Sequence, residues 1–112
     1  MVKKVYIPEQ GDVVWVSFDS TSGHEQTGRR PALVLSRSIY NGKSGLALIA
    51  PITASVKGYP FEVPVDTKQI RGVVLIDQVR SIDWRARKVI RVGFVSSTTM
   101  GEVRGLLVAL VS

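Results

Sequence analysis

Gly23-His24-Glu25-Gln26-Thr27-Gly28-Arg29-Arg30-Pro31-Ala32-Leu33-Val34-Leu35 sets a glycine-bracketed polar loop, two arginines and a proline at the mouth of an apolar run. That run, Ala32 to Arg37, is too short and too β-branched for a helix and reads as a strand beginning at a charged rim. Arginine keeps its charge at any pH, and its planar guanidinium offers five donors in a fixed fork matched to phosphate or carboxylate. Pro31 fixes its own φ, so the Arg30 fork is held between a stiff residue and a strand. A basic pair beside a strand also serves as a solvated edge that discourages aggregation. From the loop alone, an anion site and such an edge are evenly matched.

Working outward, Asp12–Phe18 (DVVWVSF) is rich in β-branched and aromatic residues, with Val14, Val16 and Phe18 on one face. It reads as the strand before the loop. After Arg37, Tyr40-Asn41-Gly42-Lys43-Ser44-Gly45 has turn chemistry centred on Asn-Gly, so Leu46 to Ile52 should return antiparallel. Phe61 to Val65 is a short strand that Pro60 and Pro64 push towards a sheet edge. Gly72 to Ile76, Val79 to Ile82 and Val89 to Val95 read as further strands, with Asp77-Gln78 exposed in a turn between the first two. Short strands with frequent turn signals predict a mainly β fold, a small curved barrel or two-sheet packing.

The tail changes period. Met100, Val103, Leu107 and Leu110 recur at helical spacing, and Thr99 with Glu102 fits a capping box. This predicts one substantial C-terminal helix. Gly101 and Gly105 either weaken it by about 1 kcal/mol each or make room for a neighbouring backbone.

The 112 residues, 45% hydrophobic, suit one domain spanning 1–112 with one core. Met1 to Gln10 lacks the form of a signal peptide, and the longest apolar runs are too short to span a bilayer, so the expectation is a cytoplasmic protein without a membrane. The absence of cysteine excludes disulfides, thiol nucleophiles and thiolate-bound zinc. A lone histidine, His24, removes any two-histidine nuclease mechanism within one chain. Fifteen Lys and Arg against nine Asp and Glu give +6, which points to a polyanionic partner, nucleic acid before membrane. Charge of this size also simply keeps a small domain soluble.

Cleaving RNA requires help in removing the 2′-hydroxyl proton, positive charge at the non-bridging oxygens, and a proton for the leaving 5′ oxygen. The chain offers Arg30 for charge, Glu25 as a nearby carboxylate and Thr53 as a hydroxyl donor. If a turn at Asn41-Gly42 pairs the two strands, counting back along both brings Arg30 and Thr53 to the same rim. Thr53 alone is commonplace in a strand, and Glu25 equally suits solvation or pairing with Arg29. Histidine is the side chain whose unperturbed charge change falls closest to neutral pH, and on this loop His24 suits a surface role. A second cluster, Arg80, Arg85, Arg87, Lys88 and Arg91 around Trp84, combines charge for phosphates with an aromatic on which a base could stack. The competing reading makes Trp84 core and the cations an exposed face. Asp77-Gln78 supplies groups suited to base edges.

Gly11-Asp12-Val13-Val14-Trp15-Val16, then Gly23 to Gln26 with Gly28, Arg30 and Pro31, then Pro51-Ile52-Thr53, Lys57-Gly58-Tyr59-Pro60-Phe61-Glu62-Val63 and Asp77-Gln78-Val79-Arg80-Ser81-Ile82 resemble the MazF/PemK toxin family. The match runs in order over nearly the whole chain, close to the MazF branch. The resemblance implies an SH3-like β-barrel of the CcdB/MazF type with a C-terminal helix, acting as a homodimer. It implies a sequence-specific endoribonuclease, a toxin that cuts single-stranded mRNA and stops translation, with no metal and no cofactor. It further implies a cognate MazE-like antitoxin whose acidic, disordered tail covers the RNA groove. The family's catalytic arginine and threonine fall on Arg30 and Thr53, with Glu25 the third candidate. Its RNA-contacting elements fall on the loop from Ser20 to Gly28 and near Gln78, making Phe18, His24, Gln26, Arg29, Lys57, Gln78, Arg80 and Arg87 the candidate RNA-binding residues. His24 stands where members commonly carry serine, and Arg29 where the family varies.

Two other functions fit the same fold: a CcdB-like toxin that binds gyrase, and a non-catalytic RNA-binding module that binds with salt dependence and releases no product.

Overall fold

Antiparallel pairing of β1 (Asp12–Phe18) with β2 (Gly28–Val34) sets Val13 against Leu33, Val14 against Ala32 and Val16 against Arg30. The computed structural model describes residues 5–18 and 28–112, the side chain of Phe18 excepted. Successive side chains on a strand point to opposite faces, and here both faces are covered. Val13 and Leu33 enter one apolar cluster with Ala50, Ile52, Val63, Val74, Ile76, Met100 and Val103. Val14, Val16, Ala32 and Val34 enter a second with Ile49 and Ile82, flanked by Tyr6 and Val89. Fully burying each such side chain favours folding by about 1.5–3 kcal/mol, so a near-continuous apolar run is what a strand covered on both faces requires.

β3 (Leu46–Thr53) is the strand on which the sheet turns. One edge pairs with β2 through Ala32/Pro51, Leu33/Ala50 and Val34/Ile49. The other edge pairs first with β6 (Arg80–Asp83) and then, at Ile52 and Thr53, with β5 (Arg71–Leu75). Pro51, with no N–H to offer a ladder, stands at the handover. β4 (Glu62–Asp66) pairs with β5 and ends that side of the sheet, as its prolines predict. β7 (Ile90–Phe94) pairs with β1 and ends the other. The result is a bent antiparallel half-barrel whose first cluster packs against the C-terminal helix α2 (Ser97–Val111).

Three local expectations are corrected. Between β2 and β3 the chain forms a short helix, α1 (Ser38–Ser44), instead of an Asn-Gly turn. Asn41 is fully buried, and its amide donates to the carbonyls of Pro8 (2.7 Å) and Ser36 (3.1 Å). Those bonds outweigh the local turn preference of Asn-Gly, and the left-handed residue becomes Gly45 (φ 76°), which closes the helix. The strand register is nonetheless the one a two-residue Asn41-Gly42 turn would impose, with Ala32 opposite Pro51.

The cap of α2 is Ser96 and not Thr99: its hydroxyl accepts the Thr99 N–H at 3.1 Å. A bond from the Val95 N–H to the Gly11 carbonyl pins the chain just before Ser96, so the helix starts there. Met100 and Val103 are buried and Leu107 packs on the first cluster, whereas Leu110 is half exposed. Among the described residues nothing outside the helix lies within 4 Å of a Cβ placed on Gly101 or Gly105, so no described neighbouring backbone requires them.

Trp84 is core, 3% exposed, with its indole N–H donating to the Asn41 carbonyl at 2.9 Å. It offers no face for a base. Of the basic residues near it in sequence, Arg85 covers the ring, its guanidinium 5.0 Å from the ring centre, whereas Arg91 pairs with Asp12 at 3.1 Å.

Candidate active site

β1 and β2 present the two arginines to opposite faces. Arg29, opposite Ser17, shares a face with Trp15, and its guanidinium lies 5.7 Å from that ring centre. Arg30, opposite Val16, shares the face of Ala32 and Val34 and stands exposed at its polar end. Across the ladder, Ile49 and Pro51 lie opposite Val34 and Ala32. By the period of two, Thr53 shares a β3 face with Pro51 and Ile49, the residues paired with Ala32 and Val34, and lies two residues beyond the last observed pair. The β2–β3 ladder itself stops at Ala32/Pro51, and on the other edge of β3 Thr53 pairs with Val73 of β5.

Two adjoining clefts occupy this region and share Gln78. One, of about 230 Å3, is lined by Arg30, Pro31, Ala32, Ile49, Pro51, Gln78 and Arg80. The other, of about 320 Å3, is lined by Thr53, Ser55, Lys57, Tyr59, Phe61, Glu62, Leu75, Asp77 and Gln78. Gln78 ends a single 3-10 turn, Ile76–Gln78; fully buried Ile76 anchors that turn and leaves Asp77 and Gln78 exposed.

The Thr53 hydroxyl and the backbone of the loop carrying Lys57 each have an identifiable hydrogen-bond partner. The Thr53 hydroxyl oxygen accepts the Ser55 N–H at 3.1 Å, which leaves its proton to donate elsewhere. The loop carrying Lys57 is tied to Glu62, whose carboxylate accepts the Gly58 N–H at 2.9 Å and the Lys57 N–H at 3.3 Å. Tyr59 and Phe61 form a tilted ring pair with centres 5.3 Å apart. The arrangement places two guanidinium groups, an ammonium and a hydroxyl around one bent rim. Such a rim suits an anionic chain with flat substituents.

Of the residues the sequence singles out, Arg30 and Arg80 line one cleft, Thr53 and Lys57 line the other, and Gln78 lines both. Arg29 faces the other way, and Arg87, whose carbonyl accepts the Ser17 N–H at 2.8 Å, lines neither cleft. Glu25, His24, Gln26 and the Phe18 side chain lie outside the described residues. Sequence reasoning missed Tyr59, Phe61 and Glu62 as parts of the rim. Their signal was present: two aromatics flanking Pro60, next to Lys57-Gly58. A wider hollow of about 410 Å3 around Gly11, Phe94 and Met100 contains none of these residues, and its Arg91 is committed to Asp12.

Among the described residues no group of three or more His, Cys, Asp or Glu could hold a metal ion, and no helix is long and apolar enough to cross a membrane.

Comparison with known proteins gives a consistent result. Residues 9–111 match the family described as the PemK-like, MazF-like toxin of type II toxin-antitoxin systems. The chain is 45% identical over 106 residues to the endoribonuclease toxin MazF of Escherichia coli K12, covering 95% of this chain and 96% of that one. It is 42% identical over 117 residues to the endoribonuclease toxin ChpB of the same strain, covering 99% of each. A crystal structure of MazE-MazF from Deinococcus radiodurans matches with a TM-score of 0.89 and 47% identity over 95% of this chain and 96% of that one.

Proposed function

Given that this chain belongs to the PemK-like, MazF-like toxin family of type II toxin–antitoxin systems, we propose that it is an endoribonuclease toxin that cleaves single-stranded mRNA and so stops translation. The observation that supports this reading is the pair of adjoining clefts sharing Gln78, one lined by Arg30 and Arg80 and the other by Thr53 and Lys57.

In this reaction the 2′ oxygen attacks the adjacent phosphorus and loses its proton. The bond from phosphorus to the 5′ oxygen breaks, and that oxygen takes up a proton. The products are a 2′,3′-cyclic phosphate and a 5′-hydroxyl. Negative charge grows on the non-bridging oxygens in the transition state, where a guanidinium fork from Arg30 binds more strongly than in the ground state. The Thr53 hydroxyl donates to one of those oxygens. Arginine is a poor proton shuttle, so the proton acceptor assigned is the carboxylate of Glu25. Lys57 and Arg80 neutralise flanking phosphates, and Gln78 faces a base edge.

The reaction as written needs no metal. Incubating the protein with RNA in EDTA and analysing the ends tests it. Cyclic phosphate with 5′-hydroxyl is expected; 5′-phosphate products, or loss of cleavage on chelation, overturns it. We propose further that the toxin is a homodimer neutralised by a MazE-like antitoxin. Sedimentation should give twice the chain mass, and a monomer at micromolar concentration contradicts the dimer.

A further inference from the structure

We propose that Glu62 is a positioning residue of the RNA site, fixing the loop that aims Lys57 at the cleft beside Thr53. The proposal rests on the endoribonuclease reading and deepens it.

The loop between β3 and β4 has no regular hydrogen bonding of its own, and its residues from Ala54 to Pro60 are exposed. Exposed backbone of that kind samples many conformations unless something ties it. Glu62 ties it at two ends. Its own N–H donates to the Tyr59 carbonyl at 3.1 Å. Its carboxylate accepts two successive N–H groups, Lys57 through both oxygens at 3.3 Å and Gly58 at 2.9 Å. Two successive N–H groups converging on one anion form a concave nest, and Gly58 (φ 80°) supplies the left-handed residue here. β4 fixes Glu62 in turn through its pairing with Leu75, so the loop is referenced to the sheet that carries Thr53. Lys57 and Thr53 then line the same cleft.

A carboxylate on the wall of a site for a polyanion is unfavourable on charge alone. Its removal should therefore tighten RNA binding if charge is all it contributes. If Glu62 instead holds the cation in place, its removal should weaken binding. The two readings predict opposite signs.

The test measures binding to a single-stranded 2′-fluoro RNA pool, which lacks the attacking hydroxyl, across a range of salt. Glu62 is half-buried at the start of β4, and Glu62→Ala is checked for folding by its melting curve. The expected result is a Kd raised about five-fold and a salt slope shallower by about 0.7, the loss of one phosphate contact. Glu62→Gln, which keeps an accepting oxygen, should recover part of the affinity. Lys57→Ala should weaken the parent but add nothing in the Glu62→Ala background. Binding equal to or tighter than the parent in Glu62→Ala, or additive losses for the two substitutions, overturns the proposal. An unaltered chain that neither binds the pool nor cleaves natural RNA overturns the endoribonuclease reading itself.

Discussion

Gly72 on β5 lies so close to the end of β3 that a Cβ placed on it would fall 2.2 Å from the carbonyl oxygen of Thr53. The contact is with backbone, which cannot swing aside as a side chain can. Any other residue at position 72 must therefore push β5 away from Thr53. Gly72→Ala is expected to cost about 2–3 kcal/mol of stability and to lower cleavage beyond what the unfolded fraction explains. Urea melts set beside single-turnover cleavage check this; a variant of parental stability and activity contradicts it.

Arg30 is exposed and contributes little to the core, so its replacement should leave the fold intact. Arg30→Lys keeps the charge but loses the planar fork, and single-turnover cleavage should fall about 100-fold. Thr53→Val should fall about 10-fold or more, with Thr53→Ser largely restoring it, because the donor returns. Full activity in Arg30→Ala that still folds would remove the basis of the assigned chemistry.

Asn41 is the buried hinge between the two halves of the β2–β3 connection, holding Pro8, Ser36 and, through its carbonyl, Trp84. Asn41→Ala strips the partners of two carbonyls and leaves a cavity, and about 2–4 kcal/mol of stability should be lost. Chemical denaturation should show a lower midpoint with an unchanged slope.

Glu9 carries a pH signature. Hydrogen bonds from Ser38, the hydroxyl first, hold its carboxyl below the usual 4.5 against a smaller opposing cost of burial. A lowered folded-state value means that this contribution is fully present above the unfolded value and is lost as pH falls through the folded one. Glu9→Gln should therefore destabilise the protein at neutral pH, with the difference shrinking once pH drops below about 4. Thermal melts of both forms across that range check the sign; a difference that grows towards acid contradicts it.

Much of this protein was determined by local pattern. The β1 boundaries, the alternation of Val13 and Val14 between two faces, and the register that sets Ala32 against Pro51 were legible in the sequence, the alternation because any strand obeys a side-chain period of two. What the period of two could not decide is where a residue's partners come from. Asn41 became helical because Pro8, distant in sequence, supplied a carbonyl, and Trp84 became core because the Asn41 carbonyl took its N–H. Ser96 displaced Thr99 as the cap because a bond from Val95 to Gly11 pins the chain one residue before it. The approach of Gly72 to Thr53 and the hold of Glu62 on the Lys57 loop likewise depend on distances between separate strands. Such distances are set by how the sheet bends and packs, a property of the whole fold and of no single stretch within it.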